Sequence, residues 1–507
     1  MGTAWIGWVA VGILAGSAPN ALAAVSQVQA APQEAAQGDA TVALTYAAAQ
    51  QRIRSNSSLG RAAGYGMQAA RAQADVAAGL NRPTVALDAQ LIHYRKTFDL
   101  SLGDTLDRAQ AELGAAIPGL IADLPGVPGD VLQSVGQRLE AALPEIFAAL
   151  PQDVRLQVDD TTFRPTVTAL QPIYTGGAIP ALRRAAAANV DLAQAKQQEA
   201  VSLEDVNLAR AYFGQVLAAE ALKIARETRD GFDLHLRNAR LLESQGVLSH
   251  AQTLQVEVAR DAAQRQVNRA ELEHDNAVAS LARVVDTNGP VVPTTPLFVN
   301  RDPIGPAGVF LDQASQTNAR LAQAQAGRDL AEAGADLAAS RMKPSVYAFG
   351  TYNLNPDDAL PTEPDWAVGI GARYTLISTV DRRRMLGAAR AQASAAAEVE
   401  RQARDDARLL VTRAYNQAEL ARRQFLSMDS SLEAASENLR VQEVGFREGE
   451  ATAASVVDAR NLLGAARLQR AAAAYEYDLS LAALLAASGS DLTLNDYLQR
   501  EDRISAP

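Results

Sequence analysis

The stretch RLLESQGVLSHAQTLQ (Arg240–Gln255) interrupts a long helix-favouring run with a single glycine, Gly246. VQEVGFREGEATAASVVD (Val441–Asp458) interrupts a second such run in the same way at Gly449. No proline occurs between Ala181 and Gln245, or between Asp381 and Glu448. Both runs are dominated by Ala, Leu, Arg, Gln and Glu, the strongest helix formers. Each predicts a helix of roughly 65 residues, about 100 Å long. Gly246 and Gly449 then end these helices in the left-handed region, where a Cβ is costly. Ser249 and Thr452 follow at N-cap positions, and Ser249-x-x-Gln252 reads as a capping box for a returning helix. Each unit is therefore a long helical hairpin, returning over Ser249–Val285 and Thr452–Ala487.

The two hairpins register with each other. Gly449 lies 203 residues beyond Gly246, as Thr452 does beyond Ser249. The same offset carries TTFRPTVTALQPIYTG, from Thr161, onto PDWAVGIGARYTLIST, from Pro364, without a gap. Upstream, RPTVALDAQLIHY from Arg82 matches KPSVYAFGTYNL from Lys343. There the offset is 261 (Pro83 to Pro344), so the first half carries 58 additional residues between its strand-like segments. This is an internal duplication. The segments alternate: Val85, Leu87, Ala89 and Leu91 share one face, and Thr84, Asp88 and Gln90 the other. In the second half Trp366, Val368, Ile370, Ala372, Tyr374 and Leu376 oppose Ala367, Gly369, Gly371, Arg373 and Thr375. One face is apolar with aromatic ends; the other is small or polar. Such a strand fits either a sheet packed on its own helices or a transmembrane β-barrel wall, and the wall is favoured because hairpins of about 100 Å cannot fold back to cover a small sheet. Four strands cannot close a barrel, and open edges are not tolerated in lipid, so copies of the chain must pool their strands.

The domain expectation is as follows. Residues 1–23 are a signal peptide, with an apolar core at Ala4–Ala15 and an A-x-A site at Ala21–Ala23, although no Lys or Arg precedes the core. Residues 24–286 form the first repeat, with an inserted helical surface segment at about 97–154 and a hairpin tip at 246–249. Residues 287–309 are a proline-rich linker. Residues 310–488 form the second repeat with its tip at 449–452, and 489–507 a C-terminal tail. In the insertion, Leu132, Val135, Leu139, Leu143, Ile146 and Leu150 make an apolar stripe that requires burial.

Composition excludes several classes. Net charge is −11 with pI ≈ 5.1, which argues against nucleic acid as a partner. There are no cysteines, and the four histidines (His93, His235, His250, His274) have no metal-ligand spacing, so no metal site and no cofactor are expected. Neither a P-loop nor a nucleophile elbow occurs, so the chain does not read as an enzyme. Mean hydropathy is −0.09, and no apolar run reaches the roughly 20 residues of a membrane-spanning helix.

From the duplication, the paired Arg82-Pro83 and Lys343-Pro344, the Tyr174-Thr175-Gly176-Gly177 lead into a long helix, and the turns at Gly246 and Gly449, the chain resembles the TolC-like outer-membrane efflux and secretion channels. The resemblance covers more than 400 residues and rests on the order of features. It implies a mostly α fold with a transmembrane β part: a homotrimer whose 12-stranded barrel in outer-membrane lipid is continued by an α-helical periplasmic tunnel. It implies a passive exit duct opened by a periplasmic adaptor and an inner-membrane pump or ABC transporter. The adaptor would meet the tips, Gly246, Val247, Leu248, Ser249 and Gly449, Glu450, Ala451, Thr452. Asp458 would line the aperture, with Ser455, Gln252 and Gln255 nearby. The aperture-locking ion pairs of some members do not carry over, since Gln252 and Ala451 stand there. Trp366, Val368, Ile370 and Tyr374 would face lipid. A periplasmic adaptor or coiled-coil scaffold also uses long helical hairpins, but would carry one hairpin flanked by compact β domains.

Overall fold

The computed structural model describes residues 42–101, 134, 153–356 and 364–506. In chain order the elements are β1 (Val42–Leu44), α1 (Tyr46–Asn56), α2 (Ser58–Ala78), β2 (Thr84–Ser101), β3 (Asp153–Tyr174), α3 (Ala178–Ser244), α4 (His250–Val284), β4 (Val291–Pro293) and β5 (Phe298–Asn300). They continue with α5 (Ala307–Thr317), α6 (Ala319–Ser340), β6 (Ser345–Asn353), β7 (Trp366–Arg373), α7 (Arg382–Glu448), α8 (Ala453–Ser488), α9 (Leu494–Leu498) and β8 (Arg503–Ser505). No described helix is long and apolar enough to cross a membrane.

The chain divides into two compact units, one holding the four long strands and the other the helices. In the first, the strand order is β2-β3-β6-β7, antiparallel throughout. Register places Val85, Leu87, Ala89 and Leu91 opposite Ala169, Val167, Pro165 and Phe163. It places Trp366, Val368, Ile370 and Ala372 opposite Tyr352, Gly350, Ala348 and Val346. One face is therefore apolar across all four strands except at Gln171, which stands opposite Ala348. The β2–β3 ladder continues to Ser101↔Asp153, well past the eight-residue β6–β7 ladder. The signal peptide expectation lies outside the described residues, as does most of the 97–154 expectation. At the ends of the latter, 97–101 and 153–154, the backbone is paired strand rather than helix.

In the helical unit, α3 and α7 are each 67 residues long and return through α4 and α8. Ion pairs cross each hairpin: Arg226–Glu271, Arg260–Asp233 and Arg240–Glu257 in the first, Arg470–Asp429 and Arg460–Glu443 in the second. The duplication shows in the breaks. Ser57 interrupts α1/α2 and Asn318 interrupts α5/α6, both in extended backbone and 261 residues apart like Pro83 and Pro344. The segment before β2 is thus two helices, broken at Ser57, and not one. At the far end of α4, Arg52 of α1 donates to the carbonyl of Val285 at 3.1 Å, so the short helices meet end to end.

The proline-rich stretch 287–309 is not a linker. Val291, Leu297, Phe298 and Val299 are fully buried. β4 pairs in parallel with β1, and β5 pairs antiparallel with β8 from the C-terminal tail. These short pairs form a belt clamped on the middles of the long helices. Tyr212 of α3 donates its hydroxyl hydrogen to Leu44 O at 2.7 Å and accepts from the amides of Thr294 and Thr295. Tyr46 stacks on Phe213, and Phe298 meets Tyr477 edge-on. Glu419, salt-bridged to Arg422, accepts from the Ile304 amide at 2.9 Å. The tail itself is anchored by buried Leu494, Tyr497 and Leu498. Prolines favour such a belt because they stop it from becoming helix while leaving β1 and β8 free to pair.

Candidate functional site

Two surfaces carry the functional expectations. The first is the outward face of the sheet. Trp366, Val368 and Ile370 are 64%, 74% and 74% exposed, and Val85, Leu87, Leu91 and Phe163 are exposed with them. Monomeric soluble proteins rarely leave such a contiguous apolar patch in water. The patch has aromatic ends: Trp366 and Tyr352 at one, Tyr174 and Tyr374 at the other, all exposed. Tyr374 lies one residue past the end of β7. Beyond Leu91 and Phe163 the same face turns polar, with His93 near Asp159 and Arg95 salt-bridged to it. The apolar band from Val85 to Leu91 runs about 20 Å along the strand at roughly 3.3 Å per residue. On the opposite face Thr162, Arg164 and Thr166 are buried, and Thr166 Oγ1 and the facing Asn353 Nδ2 have no hydrogen-bond partner.

The sheet ends in a glycine turn that needs glycine. Gly176 has φ +66°, and a Cβ there would lie 2.7 Å from Ser340 O and 3.0 Å from Lys343 Cβ. The Tyr174-Thr175-Gly176-Gly177 bend thus packs tightly on the segment that opens β6.

The second surface is the pair of hairpin tips. Gly246 and Gly449 have φ of +75° and +81°, the left-handed conformation read from the sequence. Ser249 and Gln252 form the expected capping box, and the Thr452 hydroxyl accepts from the Ser455 amide at 3.1 Å. Gln252 is therefore occupied by the cap, as is Ser455, whose hydroxyl donates to Thr452 O. Val247 is exposed, as are Ser249, Gly449, Glu450, Thr452, Gln255 and Asp458. Leu248, expected at the exposed tip, is instead half-buried against the core formed by Leu236, Phe446, Val456 and their neighbours, and Ala451 packs there too. This is the hydrophobic contact that accompanies a helix C-cap, with the amides of Val247 and Leu248 both pointing at Leu242 O.

Residues that sequence reasoning missed lock the two hairpins together below the tips. Arg460 of α8 crosses directly over Gly231 of α3, where any Cβ would collide with the guanidinium, and pairs with Glu443 of α7. His235 of α3 packs edge-on against Phe446 at 4.5 Å and contacts Ala453 O at 3.4 Å. Burial, with Arg460 nearby, holds the His235 imidazole below its ordinary pKa. The only sequence signal was Gly231 itself, an isolated glycine inside a helical pattern. In the belt, Asp478 is fully buried, with one oxygen accepting from the Phe298 amide and the other unpaired. Burial pushes its carboxyl well above the usual carboxylate range. No cluster of His, Cys, Asp or Glu among the described residues fits a metal ion.

Residues 310–490 match the family model described as outer membrane efflux protein. Protein CyaE of Bordetella pertussis is 27% identical over 273 residues, covering 50% of this chain and 56% of that protein. The match thus spans little more than half of that relative's length. Among solved structures, the outer membrane protein VceC of Vibrio cholerae aligns at a TM-score of 0.67 with 13% identity, covering 88% of this chain and 96% of that one. The CmeC outer membrane channel of Campylobacter jejuni aligns at 0.66 with 13% identity, covering 90% and 89%. These likenesses take in both repeats. Together with the duplicated strand-pair and hairpin unit, they show that the chain has the fold of these outer-membrane channels, and that its second repeat matches the outer membrane efflux protein family model.

Proposed function

We propose that the chain is one subunit of an outer-membrane exit duct, a passive conduit from periplasm to exterior serving an efflux pump or a type I secretion system. The observation that carries this reading is the exposed apolar face of a sheet whose two outer edges, on β2 and β7, have no partner among the described residues. In lipid such edges must pair, and three chains would pool their strands into one closed wall of twelve. The helical units of the trimer would then form the periplasmic part of the duct. The exposed tip residues Val247 and Glu450 would meet a periplasmic adaptor, and an inner-membrane transporter would drive the cargo. Asp458, exposed two turns beyond Gly449, would give three carboxylates around the aperture and favour cations by their field.

The test is assembly and conduction by the full-length protein. Purified in detergent, it should run as a stable trimer and form ion-conducting pores in planar bilayers. A monodisperse monomer, soluble without detergent and without pore activity, would overturn the duct and favour a soluble scaffold.

A further inference from the structure

Opposite the apolar face, β6 presents Tyr347 and Phe349, and each stands directly across from a glycine of β7: Tyr347↔Gly371 and Phe349↔Gly369. A Cβ built on Gly369 would lie 2.8 Å from Phe349 Cζ and 2.9 Å from its Cε1. One built on Gly371 would lie 2.6 Å from Tyr347 Cζ and 2.8 Å from its hydroxyl oxygen. Real side chains do not approach so closely. Both rings therefore lean across onto the neighbouring strand and fill the space where its side chains would be. Their centroids are 6.3 Å apart with planes at 51°.

The glycines have no other evident reason to be there. Neither has a positive φ, so the backbone does not demand glycine. Glycine inside a strand also costs conformational entropy and packs nothing. Gly350, on the apolar face of β6, is different: a Cβ there would meet its neighbours at 3.8–3.9 Å, ordinary contact. The close approach is confined to the two inner glycines and their aromatic partners.

We infer that Gly369 and Gly371 set the bore of the duct at this level, by letting Tyr347 and Phe349 lie along the wall instead of standing across the lumen. This rests on the duct reading, in which the face opposite the apolar one lines the channel. Three chains then contribute six rings around two adjacent levels of the wall. With Ala in place of either glycine, the ring loses its bed and must rotate towards the axis. The pair thereby determines how bulky a cargo passes, without itself binding cargo.

The chain contains no cysteine, so one introduced thiol reports on access without a background. Ser345→Cys lies on the same face as Tyr347 and two residues beyond it, towards the start of β6. The full-length trimer in liposomes is treated from the barrel side with maleimides of increasing bulk. With the glycines intact, bulky reagents should label this thiol. Adding Gly369→Ala and Gly371→Ala should abolish labelling by the bulky reagents and spare the smallest. Adding Tyr347→Ala and Phe349→Ala to that variant should restore it, a rescue that a general folding defect would not give. Gly350→Ala should change nothing. If the double glycine variant fails to assemble, Tyr347→Ala with Phe349→Ala alone should admit larger reagents than the parent protein. Labelling that is indifferent to all four residues overturns this inference and leaves the duct standing. A Ser345→Cys thiol that no reagent reaches from the barrel side, in a protein without pores, removes the duct reading and this inference with it.

Discussion

The sheet and the belt treat their side chains in opposite ways. In the sheet, Trp366, Val368 and Ile370 point outward with most of their surface uncovered. In the belt, Tyr46, Tyr212, Phe213, Phe298 and Tyr477 are sealed together, and even the carboxyl of Asp478 is fully buried. Both regions are rich in large apolar groups, so hydrophobicity does not distinguish them. What differs is the solvent each is built for. The belt excludes water with its own chain, whereas the sheet leaves its apolar face for something else to cover. A single folded chain can be complete in one region and incomplete in the other.

The sharpest way to break that contrast is to truncate an apolar side chain in each region. Phe213→Ala removes a ring stacked on Tyr46 and edge-on to Tyr212, and should cost about 3–5 kcal/mol of stability, read as a lowered helical melting transition. Ile370→Ala should leave the same transition nearly unmoved. If both truncations cost alike, the sheet has a cover of its own in the single chain.

Changing the sheet's chemistry is the next test. Under the duct proposal, Ile370→Arg should oppose membrane insertion by about 2–4 kcal/mol per chain, because it would set a charge against lipid near mid-band. Helix content by circular dichroism should stay the same while the trimer yield from membranes falls. Full membrane assembly of this variant would mean that the face does not meet lipid.

Smaller effects should appear in pH titrations, with opposite signs in two parts of the helical unit. Asp478 has a folded pKa above its unfolded one, so its contribution to stability is full below the unfolded value and is lost as pH rises through the folded value. Asp478→Asn should therefore stabilise the belt at neutral pH, with the advantage vanishing towards about pH 4, the ordinary Asp value. His235 has a depressed folded pKa, so stability is present above its unfolded value and is lost as pH falls below about 6.5. His235→Gln should remove that acid sensitivity, read by hydrogen exchange of the amides around Ala453. A wild-type protein with no acid loosening there would show that His235 is not the group responsible.

The smallest effect on stability belongs to Val247, which is 66% exposed at the tip. Val247→Asp should shift stability by no more than about 0.5 kcal/mol. Under the adaptor proposal it should nevertheless abolish export by intact cells. Leu248→Asp, by contrast, should destabilise the tip itself, because that side chain packs on the hairpin core. Normal export with Val247→Asp would take the residue out of the docking surface.

Much of this was legible in the chain before folding. Gly246 with Ser249-x-x-Gln252, and Gly449 with Thr452, announced two hairpins, because turns and caps are decided by residues within a few positions of each other. The alternation in Trp366–Ala372 announced a two-faced strand for the same reason, and the offsets of 203 and 261 located the repeat. The belt was harder to read. Its pairings are three residues long, too short for a period, and apolar runs such as Val291-Val292 and Leu297-Phe298-Val299 gave only a faint strand signal among the prolines.

The sequence by itself determined the long helices, their order, the glycine turns that end them and which face of each long strand is apolar, because these follow from local sterics and from spacing along one segment. Only the tertiary structure decided that 287–309 is core and not linker, that Leu248 is covered while Val247 is not, that Arg460 lies over Gly231, and that Gly369 and Gly371 make room for two rings. Each of those outcomes depends on a partner brought close by folding, as β5 meets β8 across some two hundred residues. Whether a side chain is buried is a property of the neighbours it acquires, and a linear pattern does not name neighbours that far away.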